Sequence, residues 1–117
     1  MSEALRALQQ RLAAFAAARD WQQFHSPKNL AMALSVEVAE LVEEFQWLTE
    51  LESQALDAER RERVRLELAD VFIYLLRLAD RLDVDLLRAA ADKIAQNERK
   101  YPAERVRGDA RKYTEYD

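Results

Sequence analysis

The sequence predicts an all-α protein, a four-helix bundle that assembles as a homo-oligomer. Three observations carry this. One Gly and two Pro among 117 residues are too few for an architecture of strands and turns. Half of the residues are hydrophobic, which supplies a core for a single domain of this length. Apolar residues then recur at three- and four-residue spacing along four stretches, the period of one helix face.

Taken in order, Ser2 caps a first helix that runs to about Arg19, with Leu5, Leu8, Leu12 and Phe15 as its apolar stripe. Nothing on that helix demands chemistry, and packing explains it. Residues 20–26 form a connector rich in aromatic residues. Ser26 followed by Pro27 marks the next start, a hydroxyl cap and then a proline at the first helical position. The second helix runs to Gln46 or Trp47, with Leu30, Leu34, Val38, Leu41 and Phe45 inward. A polar, acidic loop covers 49–58, and Asp57 caps the third helix. From Leu66 this helix turns apolar nearly all round, with Leu66, Ile73 and Leu76 off the main stripe. Such a helix is covered on more than one side. In a short chain the second cover is another subunit. Asp83 or Asp85 caps a fourth helix to Lys100, and Pro102 ends it. The expected organisation is one domain over 1–102 and a polar tail over 103–117, disordered or laid on a neighbour.

Composition also narrows the classes of function. No Cys means no disulfide framework and no thiolate metal site, and a reducing cytoplasm is the default location. No apolar run reaches the roughly 20 residues of a membrane span, and no signal-peptide core opens the chain. A net charge of −4 argues against a nucleic-acid partner.

Acids carry the chemistry. Glu67 and Asp70 sit in the most apolar stretch of the chain, on the side of the third helix that also holds Val64, Val71, Tyr74 and Leu78. The segment Glu67-Leu68-Ala69-Asp70-Val71 repeats Glu37-Val38-Ala39-Glu40-Leu41 by residue type. Two helices with such edges, set face to face, bring four carboxylates together. Those repel unless a cation joins them, and an all-oxygen site suits a hard divalent ion such as Mg²⁺. The bland alternative pairs these acids with Arg63, Arg77 and Arg81, as in a non-enzymatic helical oligomer or adaptor. Neither Glu is followed by a His three residues on, so the helical di-iron pattern is excluded.

Other residues have two readings. His25, the only His, is structural or functional. Trp21, Phe24 and Trp47 are core, or rim a pocket in which a base stacks. Lys93, Asn97 and Lys100 share one helix face, as a solvated edge or as donors to phosphate oxygens. With no Gly-rich phosphate loop, a triphosphate would be held by metal and side chains.

Four segments in order then resemble the MazG-like all-α NTP pyrophosphatases, in their dCTP pyrophosphatase branch. They are Trp21-x-x-Phe24-His25-x-Pro27-x-Asn29-Leu30, Phe45-Gln46-Trp47, Asp70-Val71-x-Ile73-Tyr74-Leu75, and Lys93-x-x-x-Asn97-x-x-Lys100-Tyr101-Pro102. The resemblance covers residues 5 to 102. It implies that Glu37, Glu40, Glu67 and Asp70 bind Mg²⁺. It implies that Trp21, Gln22, Gln23, Phe24, His25, Trp47 and Tyr74 contact the base and sugar, and that Lys93 and Asn97 approach the phosphates. Asn29, Lys100 and Tyr101 join them as substrate-binding positions.

The implied reaction is attack of water on the α-phosphorus of a nucleoside triphosphate, dCTP or a related or modified deoxynucleotide, which releases pyrophosphate. Mg²⁺ would neutralise charge and acidify water. Glu37 or Glu40 would orient or deprotonate that water, and Lys93 would steady the leaving group. The implied assembly is a dimer or tetramer, with pockets completed by neighbouring subunits. One departure stands at Leu12, where animal members carry a His. A polar contact to the nucleotide is thereby lost, and base preference is left open.

Overall fold

The computed structural model describes residues 2–108. It is helical throughout, with no strand among the described residues. The helices are α1 (Glu3–Ala18), α2 (Pro27–Glu43), α3 (Glu50–Ser53), α4 (Ala58–Arg81), α5 (Leu86–Lys100) and α6 (Ala103–Val106), with a 3-10 turn at Gln22–Phe24. All four long helices expected from periodicity form. They divide between two units, Ser2–Val84 and the residues from Asp85 onward.

Side-chain caps set the helix starts. The hydroxyls of Ser2 and Ser26 accept from the backbone N–H of Leu5 and Asn29, and the carboxylates of Asp57 and Asp85 accept from Arg60 and Arg88. The polar loop expected over 49–58 holds a further turn of helix, α3. There Thr49 accepts from the Glu52 N–H while Glu52 accepts from the Thr49 N–H, a reciprocal box. The second helix stops at Glu43, short of the expected Gln46 or Trp47. The carbonyl of Glu44 takes a hydrogen bond from Arg60 of α4, and the Leu48 N–H turns to Phe45 O at 2.9 Å instead.

α1 and α4 end alike. Asp20 and Asp83 both adopt φ 54°, in the left-handed region. The N–H of Trp21 reaches Ala16 O, and that of Val84 reaches Ala79 O, each at 2.9 Å, which closes the last turn. Asp83 therefore ends α4, and Asp85 alone starts α5. An acid there meets both the left-handed penalty and the negative end of the helix. Asp83→Gly is expected to raise the urea midpoint, with a gain of about 1 kcal/mol at unchanged m. An unchanged or lower midpoint contradicts this account of the turn.

In the first unit α2 lies along α4, and three sets of contacts give an antiparallel register. Glu44 meets Arg60 and Arg63, Glu37 meets Glu67 and Asp70, and His25 meets Arg77. α1 joins α4 through Gln9, whose buried Nε2 donates to Leu76 O at 3.1 Å. Among the described residues Ala16, Leu30, Val64, Leu76 and Ala79 are the buried apolar ones. Leu30 and Leu76, each 1% exposed, contribute about 1.5–3 kcal/mol apiece by burial. Leu66, Leu68, Phe72 and Ile73 leave part of their surface in solvent, so within the first unit α4 keeps an exposed apolar face. No helix among the described residues is long and apolar enough to cross a membrane.

α5 carries Lys93, Asn97 and Lys100 at spacings that share one helix face. Ala103–Val106, expected as tail, forms a short helix. The remainder of that expected tail, 109–117, lies outside the described residues.

Candidate metal centre and adjoining cleft

The antiparallel register converts the sequence repeat into a site. With α2 and α4 face to face, ligand oxygens of Glu37, Glu67 and Asp70 all lie within 4.8 Å of one another. One oxygen on each of two of these acids, Oε2 of Glu37 and Oε2 of Glu67, is closed off from solvent with no hydrogen-bond partner. Buried carboxylate oxygens are rarely left so, and a bound cation is one of the few arrangements that satisfies them. Glu40 stands outside that triad but belongs to the same electrostatic group. Burial first, then sharing of a proton with Glu40, then repulsion from Glu40, Asp70 and Glu67 push the Glu37 carboxyl up to about 7. Burial first, then the charge of Glu40 and a shared proton with it, raise Glu67 as well. Without a cation the cluster holds a proton near neutral pH. The donor set fits a hard divalent ion, since all its atoms are carboxylate oxygens and none is nitrogen or sulfur.

The arginines that could have neutralised these acids are engaged elsewhere. Arg63 Nε donates to both carboxylate oxygens of Glu44, at 3.1 and 3.2 Å. Arg77 Nε donates to His25 Nδ1 at 3.3 Å, and its Nη1 pairs with Asp80 at 3.5 Å. Arg81 Nε donates to the His25 carbonyl at 3.2 Å. Among the described residues none of the four acids forms an ion pair with an arginine.

A cleft of about 580 Å³ opens between α1 and α4, lined by Arg11, Leu12, Phe15, Asp70, Ile73 and Tyr74 among others. Asp70 belongs to both cleft and acid cluster, so the two adjoin. Part of the α1 stripe expected as core thus lines open space, and Phe15 is 48% exposed. Leu12, the position of departure noted above, is one of the cleft walls. The sequence signal for a cleft is weak, because a stripe facing a gap and a stripe facing a core have the same period.

The connector folds onto the end of α1. Trp21 sets its ring edge against Phe15 at 5.7 Å between centroids, and Arg19 lies over the Phe15 face. Asn29 Nδ2 donates to Phe24 O, and Gln23 Nε2 to Asp20, so both amides brace the loop. Gln22 opens the 3-10 turn and Phe24 closes it, with the Phe24 ring exposed. Trp47 is 87% exposed beyond the other end of α2. The 17 residues of α2 span roughly 25 Å, so one base cannot stack on both tryptophans of a single chain. In the second unit Lys93 Nζ donates to Gln96 Oε1 at 3.0 Å, and the Tyr101 N–H caps α5 on Asn97 O. Lys100 and Tyr101 are partly buried.

Comparison with known proteins gives concordant results. The sequence model of the MazG-like family matches residues 32–116. dCTP pyrophosphatase 1 of Homo sapiens is 52% identical over 105 residues, which cover 88% of this chain and 62% of that protein. Its counterpart in Rattus norvegicus is 50% identical over the same shares. A crystal structure of a pyrophosphatase from Archaeoglobus fulgidus superposes with a TM-score of 0.81 at 41% identity, covering 87% of this chain and 95% of that one. The chain thus spans somewhat under two thirds of the length of the curated relatives it matches.

Proposed function

This chain belongs to the MazG-like family, and on that premise we propose that it is a Mg²⁺-dependent nucleoside triphosphate pyrophosphohydrolase. Its substrate is dCTP or a related or modified deoxynucleoside triphosphate, and its products are the monophosphate and pyrophosphate. The observation that carries the reading is the convergence of Glu37, Glu67 and Asp70 with two buried, unpartnered oxygens. The names of the human and rat relatives, and of the Archaeoglobus fulgidus pyrophosphatase, favour the same chemistry.

Glu37, Glu67 and Asp70 would hold the ion, which when bound neutralises phosphate charge and acidifies water. Glu40 is the better candidate to orient the attacking water, because it stands outside the triad yet lies close enough to Glu37 and Glu67 to raise both carboxyls. The cleft beside Asp70 suits the base and sugar, with Tyr74 as its polar wall. Leu12 in that wall offers no hydrogen bond, so discrimination between bases rests on other groups.

Lys93 and Asn97, with Lys100 and Tyr101, would meet the phosphates from α5. Trp21 and Trp47 stand at opposite ends of α2, so both serve one nucleotide only if a neighbouring subunit supplies Trp47. The exposed apolar face of α4 favours such an oligomer, a dimer or tetramer. Residues 1–102 are the catalytic domain in this reading, and the cytoplasm is its location. The adaptor reading needed the four acids paired with arginines, and it is disfavoured by Arg63, Arg77 and Arg81 binding other partners.

A panel of ribo- and deoxynucleoside triphosphates with Mg²⁺, scored for monophosphate and pyrophosphate, tests the proposal. Release of pyrophosphate with dCTP among the best substrates is expected. Release of orthophosphate alone, or of nothing, rejects it.

A further inference from the structure

Arg77 is an arginine in the wrong place for a surface residue. It is 5% exposed, in the C-terminal part of α4 one turn before its end, among Leu76 and Ala79. Its one carboxylate partner among the described residues, Asp80, is distant at 3.5 Å and partly in solvent. A buried guanidinium with so weak a counter-ion is costly, and its Nε–H is spent instead on a neutral acceptor 52 positions away, Nδ1 of His25. The neighbouring Arg81 donates to the backbone carbonyl of the same His. Two arginines one helical turn apart thus grip a single loop residue, one by its ring and one by its backbone.

The chemistry of imidazole makes this grip specific. Arg77 cannot give up its proton, so Nδ1 must be the bare, accepting nitrogen. The ring is then neutral and carries its one proton on Nε2. Nε2 makes no bond among the described residues. We propose that Arg77 is a positioning residue for the nucleotide site: it fixes His25 in the Nε2–H tautomer so that the ring offers a hydrogen-bond donor to an oxygen of the nucleotide. This rests on the proposed function and on the contact between the Trp21–His25 loop and the nucleotide that the family resemblance implies. The groups that face the ring are Arg77 and Arg81, with Asp80 behind Arg77. Burial first, and then the two positive charges, hold His25 below the usual histidine range, which agrees with a neutral ring.

A tightly bonded donor and a merely space-filling arginine differ in what they do to the ring. His25 is the only histidine, so its nitrogen resonances in ¹⁵N-labelled protein need no assignment. At neutral pH the wild type is expected to show a single neutral form, with Nδ1 unprotonated and Nε2 protonated. Arg77→Met keeps the buried volume, and is expected to give mixed tautomers and a higher His25 titration midpoint. Arg77→Lys, which still donates and is charged, is expected to restore most of the wild-type pattern, and it stands in if the Met variant does not fold. A wild-type ring protonated on Nδ1, or a Met variant with unaltered resonances, overturns the assignment. These readings need no substrate, so they stand or fall apart from the proposed activity.

The role at the site is read separately. Arg77→Met is expected to raise KM for the deoxynucleotide about tenfold, the worth of one net hydrogen bond, with kcat nearly unchanged. Loss of kcat with KM unchanged overturns the positioning role. In the wild type, a shift of the Nε2 resonance on adding deoxycytidine assigns a base or sugar oxygen as acceptor, and a shift with pyrophosphate alone assigns a phosphate oxygen. A shift with neither overturns the donor role.

Discussion

Asp70→Ala is expected to lower pyrophosphate release by about 10³-fold or more, the loss that follows if a divalent ion that stabilises phosphate charge is no longer held. Asp70 is the group common to the acid triad and the cleft, so on the proposed function its removal would uncouple the ion from the substrate. The fold survives the change. Asp70 is one of the charges that repel Glu37 and Glu67, and deleting it relieves a strained cluster rather than breaking a bond. The metal-free variant should therefore melt no lower than the metal-free parent. Glu40→Ala is expected to lose about 10²–10⁴-fold in kcat by a different route, through the water rather than the ion, and to keep its melting response to Mg²⁺. Near-normal turnover in Asp70→Ala would remove the basis for the site.

The second large effect is on stability, and its sign follows from the raised carboxyls. Glu37 binds its proton up to about pH 7 in the folded chain, against 4.5 for an ordinary glutamate. Between those values the folded state holds a proton that the unfolded state has released. The stabilisation from this group is complete below the lower value and lost as pH rises through the upper one. Glu67 acts in the same direction. The melting temperature of metal-free protein is thus expected to fall from pH 5 to pH 8. Mg²⁺ at 100 times its Kd adds about 2.7 kcal/mol to the folded state. At a fixed Mg²⁺ concentration the increment is larger at pH 8, where the ion does not compete with protons for the carboxylates. Calorimetric melts with and without Mg²⁺ at the two pH values measure both effects. A Mg²⁺ increment that is equal at both, or absent, contradicts the site.

Much of the candidate site was legible because its signals are local. Ser26-Pro27, Asp57 and Ser2 announce helix starts through bonds that span three residues. The Thr49-x-x-Glu52 box is just as local and was readable, but it sits in a stretch too short and polar to show a helical period. The paired acids were legible because a repeat along two helices becomes a juxtaposition once the helices lie antiparallel.

Which arginine meets which partner was not legible. Arg63 chooses Glu44, Arg60 caps the Glu44 carbonyl and ends α2, and Arg77 chooses His25, over sequence separations of 16 to 52. Long arginine side chains reach many partners at similar energy, so the choice falls to the packing of the whole. The difference between Leu76, sealed in the core, and Phe72 and Ile73, left partly in solvent, is of the same kind. By itself the sequence determined that four long helices form and that two of them carry matching acidic edges, because caps and periodicity act within a turn or two. Only the tertiary structure decided that the α2–α4 register leaves two carboxylate oxygens without a partner, that α1 stands off α4 by a cleft, and that a buried arginine holds the only histidine. Each of these depends on atoms distant in the chain being brought within a hydrogen bond of one another.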